Sequence, residues 1–130
     1  MTENTEKKRI LIVDDETSNL HVLYHILRRD YTVYMAQDGR TGLDIAGEFI
    51  PDLILLDIIL PGMTGYEVIG QLKSMENCKH IPVIFISGLA ESGSMEKGLA
   101  SGASDYIFKP INAAEVLEKV QKQFTLSGCY

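Results

Sequence analysis

Pro51-Asp52-Leu53-Ile54-Leu55-Leu56-Asp57-Ile58-Ile59-Leu60-Pro61-Gly62 decides the fold of this chain. Leu53 to Leu56 form an unbroken apolar run, too short for a typical helix and bounded on both sides by proline. Such a run fits a strand buried on both faces, as in a parallel sheet. Asp57 closes the run, and Pro61-Gly62 then turns the chain. A carboxylate at the end of a buried strand is half desolvated, and it is a liability unless a cation or hydrogen-bond donors meet it. The chemistry of the chain turns on what meets Asp57.

Outward from this strand, four more short apolar runs alternate with helix-like segments, the signature of an α/β domain with a mainly parallel sheet. Arg9 to Val13 is the first strand and ends in Asp14-Asp15. A helix over about 17–29 follows, with Leu20, Leu23, Tyr24 and Leu27 at the spacing of a buried face. Thr32 to Ala36 is the second strand, and the helix begun at Gln37-Asp38-Gly39 must stop before Pro51. Thr64-Gly65-Tyr66-Glu67 reads as a capping box, so a third helix starts there with Val68, Ile69 and Leu72 inward. Val83 to Ile86 is the fourth strand, ending at Ser87-Gly88.

A helix over about 92–101 is weakened by Gly98, at about 1 kcal/mol relative to alanine, and local mobility is expected there. Asp105 to Phe108 is the fifth strand and ends at Lys109-Pro110. Asn112 caps a last helix with Leu117, Val120 and Phe124 inward, and with Glu115–Lys119 and Glu118–Lys122 paired on its solvent side. These boundaries make 1–8 a polar tail, 9–125 one domain and 126–130 a trailing end.

With 130 residues, 45% of them hydrophobic and 23% charged, the chain suits a single globular domain that needs no staples. A net charge of −6 argues against direct nucleic-acid binding, which needs clustered Lys and Arg. No apolar run is long enough to cross a bilayer, and the polar start has no signal core behind it, so the expected location is the cytoplasm. Cys78, expected in a polar loop, and Cys129, in the tail, have no metal or redox spacing and read as free thiols. His21 and His25 lie one turn apart but lack a third ligand, which leaves them on a solvated helix face. Met63, Met75 and Met95 share no period and serve as gap fillers.

In an open parallel sheet the carboxyl ends of the strands share one edge, where ligands bind. Strand one brings Asp14 and Asp15 to that edge, strand three Asp57, strand four Ser87 and strand five Lys109. Asp52 and Asp105 open their strands and face the opposite edge, and Asp44 lies within a helix. Three converging carboxylates repel one another and call for a counter-charge. Lys109 supplies one, and an all-oxygen site with few protein ligands suits Mg²⁺. A hydroxyl and a lysine are what a phosphoryl group needs at its equatorial oxygens. Asp57 is then the nucleophile, with Ser87 and Lys109 on the phosphoryl oxygens.

Asp14-Asp15, Asp57 with Leu60-Pro61-Gly62-Met63-Thr64-Gly65, Ser87-Gly88, and Tyr106 followed by Lys109-Pro110 together resemble the receiver domain of two-component response regulators. The resemblance covers about residues 8–125. It implies a flavodoxin-like (βα)₅ three-layer sandwich with a five-stranded parallel sheet of order 2-1-3-4-5. It also implies Mg²⁺-dependent transfer of a phosphoryl group to Asp57 from a sensor histidine kinase or a phosphotransfer protein. Asp15 and Asp57 would hold the metal through side chains, Asp14 partly through water and Ile59 through its backbone carbonyl. Ser87 and Tyr106 would be the switch, reshaping the surface of helix four, strand five and helix five toward an output domain or partner. The Lys109–Pro110 bond is expected to be cis, as is usual in the family. A homodimer formed on phosphorylation is compatible with the resemblance, and the tail after Thr125 reads as the start of a linker in a longer chain.

Ile59 and Leu89 depart from the many relatives that carry polar residues at these places to orient the hydrolytic water, so slow self-dephosphorylation is expected. Simpler readings compete at single residues. Asp14-Asp15 could only cap the first helix, Ser87 could be an ordinary strand-end hydroxyl, Lys109 a surface lysine and Tyr106 core filling. Two other functions use similar parts. A haloacid dehalogenase-type phosphatase would need Asp-x-Asp after strand one, and a binding module of the same fold would not be phosphorylated at all.

Overall fold

A computed structural model describes residues 7–88 and 94–126. Five strands and five helices alternate: β1 (Arg9–Val13), α1 (Thr17–Leu27), β2 (Thr32–Ala36), α2 (Gly39–Phe49), β3 (Leu53–Leu56), α3 (Gly65–Ser74), β4 (Val83–Ser87), α4 (Ser94–Ala100), β5 (Asp105–Phe108) and α5 (Ala113–Leu126). All strand pairs are parallel, in the order β2-β1-β3-β4-β5. The apolar run that nucleates this reading, β3, is central, with all four residues buried. It pairs with β1 from Ile10↔Leu53 to Val13↔Leu56 and with β4 from Ile54↔Val83 to Leu56↔Phe85.

Strand alternation divides the core into two layers. Ile10, Ile12, Leu53, Leu55, Ile84, Ile86 and Ile107 face α1 and α5, where Leu20, Leu23, Leu27, Val116 and Val120 close over them. Leu11, Val13, Ile54, Leu56, Val83, Phe85 and Tyr106 face the other way, against Leu43, Ala46, Val68, Ile69 and Leu72 of α2 and α3. Each such fully buried aliphatic side chain contributes roughly 1.5–3 kcal/mol. The arrangement is the three-layer sandwich that the resemblance implied.

Helix starts follow local chemistry. Asp38 accepts from the Thr41 N–H at 2.8 Å. Thr64 and Glu67 form the capping box in both directions, at 3.2 and 2.8 Å. Asn112 accepts from the Glu115 N–H at 2.9 Å. The Lys109–Pro110 bond is cis.

Five expectations need correction. Cys78 is not in a polar loop: it is 1% exposed within the core, and its Sγ lies 3.5 Å from the Ala46 carbonyl oxygen. The inner stripe of α5 runs through Val116, Val120 and Gln123, with Leu117 and Phe124 only partly buried at its flanks. Lys119 is not a solvent-side lysine. It pairs with Glu115 at 3.3 Å as expected, but also reaches Asp105 at 3.6 Å and donates to the Tyr106 carbonyl at 2.9 Å. No Glu118–Lys122 ion pair occurs among the described residues, and α1 ends at Leu27 rather than 29. The expected start of α4 at 92, Leu89 and Cys129 lie outside the described residues.

Candidate functional site

Each strand hands its terminal residue to the same edge, and backbone bonds hold those residues in register. The Asp14 N–H donates to Ala36 at 3.1 Å, the Asp57 N–H to Val13 at 2.9 Å and the Lys109 N–H to Ser87 at 2.9 Å. The ladder that builds the sheet therefore also spaces the site.

The loop after Asp57 is fixed from α3. The Gly65 N–H donates to the Ile58 carbonyl at 2.7 Å. A Cβ on Gly65 would meet the Asp57 carbonyl oxygen and lie 2.8 Å from Ile58 Cα. Only glycine lets the start of α3 press this closely on the loop. The turn itself passes through Gly62 at φ +77°, a left-handed conformation that glycine adopts without a Cβ penalty.

Lys109 Nζ stands 2.9 Å from Asp57 Oδ2 and 3.1 Å from Asp14 Oδ2, with both carboxylates buried. The other Asp14 oxygen accepts from the Glu16 N–H at 2.9 Å, and Asp57 Oδ1 from the Ile59 N–H at 3.3 Å. Asp15 is exposed, yet carboxylate oxygens of Asp14, Asp15 and Asp57 lie within 4.8 Å of one another. Among the described residues one ammonium thus pairs with two carboxylates, and a third carboxylate lies beside them.

Burial pushes the Asp57 carboxyl above its ordinary value and the Asp14 charge adds to this, against the hydrogen bond and charge of Lys109. Burial alone would lower Lys109, but its hydrogen bonds and ion pairs with Asp57 and Asp14 carry it above the usual lysine range. The edge holds more negative charge than its one cation satisfies.

A cavity of about 330 Å³ opens over this cluster, lined by Asp15, Glu16, Asp57, Ile59, Ser87, Gly88 and Lys109. Ser87 is buried at its margin, while Ile59 is 61% exposed at its mouth. Sequence reasoning missed Glu16, whose adjacency to Asp14-Asp15 was the available signal. Asp52 and Asp105 lie at the opposite edge, as strand direction requires. Asp52 accepts from the Arg9 N–H at 2.8 Å, and Asp105 accepts from the Tyr106 N–H at 2.8 Å. Tyr106 is buried with its ring 4.8 Å from Phe108 and 6.3 Å from Phe85. His21 and His25 are exposed on α1.

Oxygen ligands only, gathered around a spare negative charge beside a polar cavity, fit a hard divalent cation of the Mg²⁺ type. Asp14, Asp15 and Asp57 are the side chains positioned to hold it.

Residues 10–121 match the response regulator receiver domain. The chain is 42% identical over 114 residues to the response regulator PleD of Caulobacter vibrioides, covering 87% of this chain and 25% of PleD. It is 40% identical over 110 residues to a probable cyclic di-GMP phosphodiesterase of Vibrio cholerae, covering 85% of this chain and 25% of that protein. It spans about a quarter of the length of these two relatives. Among solved structures, the receiver domain of the sensor histidine kinase PA1611 from Pseudomonas aeruginosa superposes with a TM-score of 0.82. That domain is 32% identical, covers 89% of this chain and 96% of its own, and has a magnesium ion coordinated in its active-site cleft. The fold, the order of its strands and the match along nearly its whole length place this chain in the response regulator receiver family.

Proposed function

We propose that Asp57 is the phosphoacceptor of a two-component signalling switch, charged from the phosphohistidine of a sensor kinase or phosphotransfer protein. The observation that carries this reading is the placement of Lys109 Nζ at 2.9 Å from Asp57 and 3.1 Å from Asp14 beneath an open cavity that Ser87 also lines. An Asp57 carboxylate oxygen attacks phosphorus, the P–N bond breaks, and its electron pair returns to the imidazole. Lys109 and Ser87 would take phosphoryl oxygens whose charge grows during transfer.

Asp14, Asp15, Asp57 and the backbone carbonyl of Ile59 are the proposed Mg²⁺ ligands. Bound there, the cation would neutralise charge on the phosphoryl oxygens and on the carboxylates. Lys109 meanwhile works against the effect of burial on Asp57, because its ammonium favours the charged carboxylate.

Ser87 and Tyr106 are the proposed switch. The Ser87 hydroxyl follows the phosphoryl group and holds the Tyr106 ring in the inward position, which is also its position in this structure, and this fixes the face made by α4, β5 and α5. That face would act on an output domain in a longer chain, on a separate partner, or on a second copy. A cytoplasmic location follows from a kinase partner and Mg²⁺ dependence. Among the described residues no helix is long and apolar enough to cross a membrane.

Intact mass after incubation with acetyl phosphate and Mg²⁺ tests the acceptor. Wild type gains one phosphoryl group and Asp57→Asn gains none, while equal labelling of both proteins ends the assignment. Ile59 offers no group to orient an attacking water, although it stands 61% exposed at the cavity mouth. Self-dephosphorylation is therefore slow, and Ile59→Asn shortens the phosphoryl lifetime several-fold. A wild-type lifetime of seconds would contradict this.

A further inference from the structure

Gly98 lies within α4, where helix propensity argues against glycine by about 1 kcal/mol relative to alanine. The residue is buried, and a Cβ there would lie 3.0 Å from Phe85 Cδ2, 3.0 Å from Tyr106 Cδ2 and 3.2 Å from Tyr106 Cε2. These are closer than carbon atoms sit at their optimal separation of about 3.5–4.0 Å. The glycine therefore makes a slot for two rings.

The two rings are not equally free to yield. Both rings are fully buried, but Phe85 belongs to β4, inside the sheet, and meets Tyr66 of α3 edge-on at 5.6 Å. Lys97 lies over the same Tyr66 ring, 4.6 Å from its centroid, which ties α4 to α3 and opposes retreat of the helix. Tyr106 belongs to β5, the outermost strand on this side. A methyl group at position 98 would displace the Tyr106 ring before it displaced Phe85.

We propose that Gly98 is a positioning residue for the switch: its missing side chain is the space that keeps the Tyr106 ring in its inward position beneath α4. The proposal rests on the reading of Tyr106 and Asp57 given above. Gly98→Ala narrows the slot and shifts Tyr106 outward. If the inward ring and the phosphorylated site favour each other, linkage makes the same substitution weaken a phosphoryl mimic at Asp57.

Two measurements on the full 130-residue chain test this. In protein labelled with fluorotyrosine, the Tyr106 resonance is identified by its loss in Tyr106→Phe. In Gly98→Ala it moves toward the position of exposed tyrosines, without any ligand. Beryllofluoride with Mg²⁺ then binds Gly98→Ala at least about 5-fold more weakly than wild type, the lower end of ordinary coupling between sites. In a Tyr106→Ala background the alanine at 98 has no ring to displace, so the added loss disappears.

An unmoved resonance in Gly98→Ala overturns the proposal. So does an equal loss of affinity in the Tyr106→Ala background, which would make the effect one of helix packing. Should Gly98→Ala alone not fold, the proposal requires the double variant with Tyr106→Ala to fold, and failure of both overturns it. Absence of beryllofluoride binding by wild type instead overturns the acceptor reading, and the ligand-free resonance still decides the role of Gly98.

Discussion

The two edges of the sheet carry the same kinds of residue to opposite ends. At the edge where the strands begin, Asp52 accepts from the Arg9 backbone, and Asp105 accepts from the Tyr106 N–H and lies 3.6 Å from Lys119. Each acid there meets its own donors. At the edge where the strands finish, Asp14 and Asp57 share the Lys109 ammonium and Asp15 crowds in beside them. The first edge is electrostatically settled and serves the fold. The second is left short of positive charge, and that shortage is what a cation and a phosphoryl group can use. Strand direction alone separates the two, because the ends of parallel strands that share an edge also share a fate.

Removing cations should expose this difference most strongly. Lys109→Met leaves two buried carboxylates facing each other and should destabilise the metal-free protein by about 3 kcal/mol, read from denaturant midpoints. A loss no larger than that of an exposed lysine would show that the edge is not under electrostatic tension.

Asp57→Asn should do the reverse and stabilise the metal-free protein, by about 1 kcal/mol. The sign follows from the raised Asp57 value. A carboxyl that holds its proton more tightly folded than unfolded gives no penalty at acidic pH. The penalty grows as pH climbs from the ordinary carboxylate value through the raised one, and is constant above it. The gap between Asp57→Asn and wild type should therefore be small in acid and full at neutral pH. A gap that instead widened toward acid would reverse the assignment. Mg²⁺ should stabilise wild type by about 1.4 kcal/mol at ten times its dissociation constant, and much less in the variant.

The smallest effect belongs to the settled edge. Lys119→Ala removes a half-buried cation from Asp105, Glu115 and the Tyr106 carbonyl, and should cost about 1 kcal/mol. It should leave the Mg²⁺-dependent shift unchanged, and a changed shift would mean that the two edges communicate.

Much of this was legible in the chain because its signals are local. Four-residue apolar runs, the Thr64–Glu67 box and polar residues placed just after each run need no knowledge of distant partners. The candidate site inherits that legibility, since every member follows a strand. Asp14 and Asp15, adjacent and alike in sequence, are where it ends. One is buried against Lys109 and the other exposed. Cys78 likewise looked polar in context, and only the docking of the α3–β4 connection put it inside, as the docking of α5 does for Gln123.

By itself the sequence determined the alternation of strands and helices, the caps, and the set of groups that could reach one edge. The tertiary structure alone decided which two carboxylates Lys109 bridges, why Gly65 must lack a side chain, and which face of α5 is inside. The first kind of fact depends on periodicity and neighbours a few residues apart. The second depends on how closely elements distant in sequence approach, and that distance is set jointly by all the side chains between them.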